Sequence, residues 1–414
     1  MRRAIDSPFS PGSDTVPQVW AGRVSQLADW RDVLRPRRLL GVHERGRTIL
    51  GEAGTGKSAL VRRICQDAQS RGDWVTPQLR MASGADPLKR LAAALLGLAE
   101  SVSLAAARED RIAATLRRVE SVAVAGASLS LRQGEAPEPH VALTELLVEV
   151  GREALRRGDT MVVIHIDEVQ NIGDENALSQ LLIALGDALS HEEQVEAPGR
   201  MLINRALPIA VYLSGLPEFA DLAGARTGAT FARRFQVVNL SSISDGDLEA
   251  ALQPFVSEGW PVPNQDGGLD RVFMTPQAQG AIVELACGEP FLFQLAGQGA
   301  WFAGASDLIT VDDVYAGWAE VAHEAEAHVL RILDRLPARE REFLEAMGEV
   351  EPERRTLKEI AAAAGFKSSS AAGPSAQRLD IVRGLISRGP AYGFRRRAVE
   401  AYLTSDWPRP GAPS

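Results

Sequence analysis

Two stretches of this chain carry side chains whose types and spacing could do chemistry. The first, Gly51-Glu52-Ala53-Gly54-Thr55-Gly56-Lys57-Ser58, has the spacing Gly-x-x-x-x-Gly-Lys-Ser. Its glycines let the backbone curl so that several N–H groups converge on phosphate oxygens. Lys57 adds a mobile point charge suited to β- and γ-phosphates, and the Ser58 hydroxyl suits the octahedral oxygen shell of Mg²⁺. Lysine is scarce, at positions 57, 89, 358 and 367 only, so chance is a poor source for this pattern. The second stretch, Met161-Val162-Val163-Ile164-His165-Ile166-Asp167-Glu168, is an apolar run ending in paired carboxylates. Transfer of a phosphoryl group to water needs one carboxylate to hold Mg²⁺ through water and one to polarise the attacking water. Asp167 and Glu168 are candidates for these roles; the competing reading is a core strand and a helix cap.

The flanking sequence must position these groups. Thr48-Ile49-Leu50 reads as a strand entering the glycine-rich loop. Ser58 to Gln69 reads as a helix, with Ala59, Leu60, Ile64 and Ala68 on one side and a stop at Gly72. Its positive N-terminal end would face the phosphates. The run 161–166 is apolar throughout, as in a parallel strand buried on both faces, and its C-terminal end would open onto a ligand crevice. His165 within it is a core residue or a support for its neighbours. Residues 73–82 read as a further strand, and Asp86-Pro87 opens a helix rich in alanine and leucine. Helices are expected over 104–121, Val141–Arg157 and 174–190. Val122–Leu131 reads as a hairpin or surface insertion, Gln133–His140 as a loop. A polar loop holds Glu192, Glu193 and Glu196. Strands are expected over Leu207–Leu213, ending at Ser214, and over Gln236–Leu240.

Composition narrows the class. The chain has 414 residues, too many for one ordinary core, and 45% hydrophobic residues, which excludes a disordered chain. A net charge of −9 argues against a general coat for nucleic acid. From His328 onward, however, 15 basic side chains face 11 acidic ones, about +4, which leaves about −13 of the net −9 for the rest. Any DNA contact therefore belongs at the C-terminal end. Cys65 and Cys287 sit among apolar neighbours with no zinc spacing, so both are expected buried and reduced. No apolar leader opens the sequence and no stretch reads as a membrane span, so the expected setting is cytoplasmic, with no membrane partner.

Some thirty residues before the loop stands Val19-Trp20-Ala21-Gly22-Arg23-Val24-Ser25-Gln26-Leu27. It resembles the hydrophobic-Gly-Arg-x-x-Glu-Leu element of the origin-recognition and initiator ATPases, the archaeal-type ATPases and the STAND ATPases, all relatives of AAA+ proteins. Gln26 replaces that group's acidic residue. The resemblance implies that Gly22 and Arg23 cover an adenine and that a strand between the two motif strands ends in a γ-phosphate sensor. Ser214 is the candidate sensor, or simply part of a turn. Arg233 or Arg234 would be an arginine finger reaching a neighbouring subunit, which implies a nucleotide-dependent homo-oligomer; the bland reading is a surface pair. Gly288-Glu289-Pro290 resembles the group's lid motif, placing Pro290 at the nucleotide. Gln170 and Asn171 either couple the site to a partner or form a turn. No arginine in the Pro290 helix matches the second sensor of clamp loaders.

Residues 337–403 read as three helices and a wing. Pro337 opens the first, Thr356 caps the second, and Ser375–Ser387 forms the third. Tyr392 to Arg397 would be the wing strand. Gln377, Arg378 and Arg383 on the third helix and Arg395, Arg396 and Arg397 on the wing could meet double-stranded DNA; alternatively the module binds a protein. The expected fold class is α/β, a parallel P-loop NTPase sheet with flanking helices, a helical lid and a C-terminal winged helix. The expected boundaries are a tail to 17, the ATPase core over 18–242, the lid over 243–327, the winged helix over 328–405 and a tail over 406–414. The resemblance implies an ATPase using ATP and Mg²⁺, with Gly51 to Ala59 as the phosphate cradle. It would act as a DNA-binding initiator or transposon-helper factor, or as a signalling switch with an unknown protein partner.

Overall fold

The computed structural model describes residues 2–12, 15–102, 138–227, 233–264 and 266–409. The helix expected over 104–121, the hairpin or insertion over 122–131, residues 133–137 of the expected loop and the residues just before Arg233 lie outside the described residues. The chain divides into two units. Val24–Leu50 and Leu60–Asn239 form one, and Met1–Arg23, Gly51–Ala59 and Leu240–Ser414 form the other.

The first of these is built on eight strands: β1 (Gly46–Leu50), β2 (Trp74–Val75), β3 (Leu79–Arg80), β4 (Val162–Asp167), β5 (Glu192–Ala197), β6 (Met201–Ala206), β7 (Ile209–Gly215) and β8 (Phe235–Asn239). Six form one sheet in the order β2-β4-β7-β1-β8, with β3 also on β4, and every pairing is parallel. The strand ending at Ser214 thus lies between the two motif strands, as the resemblance implied. The registers Ile49↔Ser214 and Ile166↔Leu213 bring the C-terminal ends of β1, β4 and β7 level. Pro77, which has no N–H for a ladder, lies in the gap that splits the expected strand over 73–82 into β2 and β3. Glu192, Glu193 and Glu196 do not form a loop. They belong to β5, which pairs antiparallel with β6 in a separate hairpin.

Helices Pro87–Ser101, Pro139–Arg157 and Glu175–Ser190 supply Leu91, Leu146 and Leu181 to a core that includes Ile164, Ile166 and Leu213. Asp86 and Asp174 cap two of them by accepting N–H bonds, each worth about 1 kcal/mol. A helical run from Val24 to Leu39 places Trp30 edge-on to Tyr212 of β7, with ring centroids 6.3 Å apart.

The other unit holds the lid and the winged helix. Helices Asp245–Ser257, Pro276–Ala286, Pro290–Ala303 and Val311–Leu333 form its lid part. The last runs through the boundary expected at 327, so the lid and the C-terminal module share a helix. Gly299 and Gly317 let two of these helices meet backbone to backbone, where a Cβ has no room. Trp260–Pro263, Leu269–Met274 and Leu308–Ile309 make a three-stranded sheet.

Neither end is a loose tail over its described residues. Phe9 is buried, stacks on Phe255 at 5.7 Å, and occupies the space that a side chain at position 297 would need. Trp407 is buried near Trp318 and donates to the Leu285 carbonyl at 3.2 Å. The winged helix comprises Ala338–Glu349, Leu357–Ala363 and Ser369–Gln377, the strands Ile386–Ser387 and Gly393–Phe394, and a closing helix Arg397–Thr404. The third helix starts earlier than expected, at Ser369, and its helical turns end at Val382. Arg396 and Arg397 are the N-cap and first residue of the closing helix, not wing strand. Among the described residues no helix is long and apolar enough to cross a membrane.

Candidate functional site

The glycine-rich loop follows β1 directly. Gly54 and Gly56 adopt φ of +79° and +81°, a left-handed backbone that costs glycine little and other residues far more. Thr55 is buried and donates its hydroxyl to the Glu52 carbonyl at 2.8 Å, closing the turn from within. Helix Lys57–Ser70 begins at the loop's lysine, so its N-terminal end lies there. Lys57 Nζ donates to the carbonyls of Gly51 at 2.8 Å and Glu52 at 2.9 Å. Ser58 and Ala59 occupy the next positions, both half-buried, and Ala53 is exposed.

The lid's residues close around this loop. The Phe291 N–H, at the start of helix Pro290–Ala303, donates to the Gly54 carbonyl at 3.2 Å, and Pro290 faces Gly56. Gly22 and Arg23 are both left-handed, φ +62° and +63°. That turn sends the Arg23 guanidinium to the Thr55 carbonyl at 3.0 Å and the Ser241 carbonyl at 2.8 Å. Burial pushes the Arg23 guanidinium down to about 10, still a cation near neutral pH. Val19, Ala21, Arg23, Gly56, Pro290 and Phe293 line a small cavity, partly open to solvent. Its walls are mainly apolar with few polar groups, as is usual for small-molecule sites.

Two residues at this loop were not foreseen, and a third, Glu52, has a partner that was not. The Glu52 carboxylate, buried beneath the loop, pairs with Arg335. His328 packs against Gly54, and its ring lies tilted against Phe291 with centroids 5.1 Å apart. Its buried Nε2 has no hydrogen-bond partner among the described residues. Burial holds its pKa below the ordinary value, so the ring is neutral near pH 7. Arg335 and His328 lie far along the chain from the loop, and no local pattern marks them.

The end of β4 carries the carboxylates, and the end of β7 brings Ser214 beside them. Asp167 is fully buried. Its Oδ1 accepts the Ser214 hydroxyl at 2.6 Å and the Glu168 N–H at 3.0 Å, and its Oδ2 accepts the Gln78 amide at 2.5 Å. Arg62 in turn donates to Gln78 at 2.7 Å. The Ser214 hydroxyl donates to Asp167, so its oxygen accepts from His165 Nε2 at 3.1 Å. The structure therefore joins Ser214 to Asp167 and makes His165 a support. The fixed carboxylate of Asp167 is a hard oxygen donor of the kind Mg²⁺ takes. Glu168 is left-handed, with φ +59°, and its carboxylate accepts the Gln170 amide. Asn171 donates to the Met81 carbonyl at 3.0 Å.

Arg233 is exposed just before β8, and Arg234 pairs with Asp187 against Gly186. The DNA candidates are placed unevenly. Gln377 is exposed, and Arg378 is half exposed while bonded to Glu340. Arg383 lies largely buried on the same carboxylate. Arg395 pairs with Asp380 and Arg397 with Asp245, both at the surface. Arg396 is buried against Glu289 and faces no solvent.

No family model matches the sequence. No curated protein matches it either. Among solved structures, the chain is similar to a Walker-type ATPase of Pyrococcus abyssi, at 14% identity and a TM-score of 0.54, over 93% of this chain and 96% of that one. It is also similar to the Orc2 protein of Aeropyrum pernix, solved as ADPNP-ADP complexes, at 15% identity and a TM-score of 0.52, over 97% and 95% of the two chains. Over nearly its whole length, this chain has the fold of the Walker-type and origin-recognition ATPases.

Proposed function

We propose that this protein binds ATP with Mg²⁺ and hydrolyses its γ-phosphate, and that the nucleotide sets the state of its lid and winged helix. The observation that carries this reading is the loop itself, with two left-handed glycines, a buried lysine turned onto loop carbonyls and an apolar cavity closed by Arg23 and Pro290. In this reading the Gly51–Ala59 N–H groups and Lys57 hold the phosphates, and the cavity takes the adenine. Ser58 and Asp167 would hold Mg²⁺, which supplies charge neutralisation at the phosphates. Glu168 polarises water, Ser214 senses the γ-phosphate, and an arginine from the 233–234 pair acts on a neighbouring copy. Catalysis of this kind rests on positioning and electrostatics rather than covalent chemistry.

The test is nucleotide titration with single-turnover hydrolysis. Lys57→Ala should lose tight ATP binding. Glu168→Gln should bind ATP as before and hydrolyse it at least about a hundredfold more slowly, the usual contribution of a positioned base. Equal ATP affinity with and without Lys57 would overturn the reading.

For the winged helix we propose contact with double-stranded DNA through Gln377, Arg378, Arg395 and Arg397, which lie at the surface. The second reading, a protein-contact module, is favoured by one observation: each of these three arginines is already paired with a carboxylate of the same chain.

A further inference from the structure

We propose that Gln294 is a positioning residue for the nucleotide base: its amide ties down the N-terminal segment at Ser10 and Val19 and so sets one wall of the cavity beside the glycine-rich loop. This rests on the nucleotide-binding reading above and deepens it. Helix Pro290–Ala303 starts at the loop, where Pro290 faces Gly56. Gln294, Gly297, Gln298 and Trp301 recur along it at i, i+3, i+4 and i+7, so they share one face. All four meet the N-terminal segment. The Gln294 Oε1 accepts the Ser10 N–H at 3.1 Å, and its Nε2 donates to the Val19 carbonyl at 2.9 Å. Phe9 fills the notch at Gly297, where a Cβ would lie 2.3 Å from its ring. Gln298 Nε2 donates to the Phe9 carbonyl at 3.4 Å, and Trp301 Nε1 to the Arg3 carbonyl at 2.9 Å.

Of these four, Gln294 is the one that lines the cavity, with Val19, Ala21 and Phe293. It is buried. A buried amide is costly unless its groups are paired, and here the donor meets a carbonyl and the acceptor an N–H. Among the described residues no helix or strand lies between Asp6 and Val24. That stretch has no ladder of its own to fix it, so its place against the cavity depends on side chains of the helix.

The consequence falls on the base. An apolar wall attracts a ring only at contact distance, and a gap of about 0.5–1 Å already forfeits roughly a quarter to a half of the dispersion attraction. Holding the Val19 carbonyl holds that wall in place. The Gln294 bonds go to Ser10 and Val19 and not to the loop, so they act on the base and leave the phosphates to Lys57 and the loop backbone.

The experiment measures the affinity of the full-length chain for ATP and for inorganic triphosphate, which has the phosphates and no base, both with Mg²⁺. Gln294→Leu should weaken ATP about tenfold, the order expected when a buried hydrogen-bonding group loses its partner, and leave triphosphate affinity at the parent value. Hydrolysis at saturating ATP should keep the parent rate, so the loss appears in KM and not in kcat. Gln294→Asn keeps a buried amide one carbon too short to span both partners; it should show the same pattern, and it serves if the Leu variant fails to fold. Trp301→Phe loses the bond to Arg3 on the same face, away from the cavity; it should melt earlier with both affinities unchanged. Parent-like ATP affinity in a folded Gln294 variant overturns the proposal and leaves the nucleotide reading intact. An equal loss for ATP and triphosphate also overturns it, because the damage then lies in the loop. If Lys57→Ala keeps its ATP affinity, the nucleotide reading itself fails and the role of Gln294 falls with it.

Discussion

Arg396 Nη1 donates to both carboxylate oxygens of Glu289, at 3.0 and 3.2 Å, with both side chains buried. The pair joins the first residues of the winged helix's closing helix to the residue just before Pro290. Breaking one side of such a pair leaves an uncompensated buried charge, at a cost of about 3–5 kcal/mol. Arg396→Ala should therefore lower the midpoint of thermal or urea unfolding markedly. Replacing both residues with apolar ones of similar size, Arg396→Met with Glu289→Leu, should restore most of that loss. Differential scanning calorimetry of the two variants checks this. If Arg396→Ala melts like the parent, the pair is not structural.

His328 is buried, and its protonation is opposed first by loss of solvation; Glu289 favours the cation, while Arg331 and Arg396 oppose it. Its folded-state pKa is below the unfolded value of about 6.5, so the unfolded chain binds the proton more readily. Stability should be full above about pH 6.5 and fall as pH drops below it. His328→Phe, which keeps a ring against Gly54 and Phe291, should flatten the pH dependence of urea unfolding between about pH 6.5 and 5. An unchanged slope in that window would refute the assignment.

Arg233 is exposed, whereas Arg234 is paired with Asp187. A finger acting on a neighbouring copy should come from the exposed residue. Arg233→Ala should cut turnover by about 10³-fold or more, with Arg234→Ala milder. Parent turnover per chain should rise with protein concentration. Mixing Arg233→Ala with Glu168→Gln should recover some activity, because each supplies what the other lacks. Concentration-independent turnover, indifferent to both arginines, would point to a monomeric switch.

The winged helix gives a graded prediction for DNA. Arg378→Ala, Arg395→Ala and Arg397→Ala should each weaken duplex binding and reduce the log–log salt slope by roughly one for each phosphate no longer neutralised. Gln377→Ala should change sequence preference instead, if that residue reaches a base edge. The measurement is fluorescence anisotropy over a salt series, with and without ATP. Absence of binding at low salt in either nucleotide state assigns the module to a protein partner.

The sequence alone determined the parts of this protein whose physics is local. A left-handed turn needs glycine, so Gly54 and Gly56 could be read from their spacing to Lys57. A strand buried on both faces is apolar throughout, so β4 and its closing carboxylates were legible, and so were the helix caps at Asp86 and Thr356. The placement of β7 between β4 and β1 followed from resemblance and is borne out in the sheet order. Tertiary structure decided everything that depends on which distant groups meet. Three adjacent arginines look alike in the sequence, yet Arg396 is turned inward onto Glu289 while Arg395 and Arg397 stay at the surface. Phe9 sits in an unpatterned stretch rich in proline, and only the gap at Gly297 makes it core. Glu52 and Arg335 are 283 residues apart. Pairings of this kind are enforced by desolvation and shape, which act between surfaces and leave no periodicity in the chain that carries them.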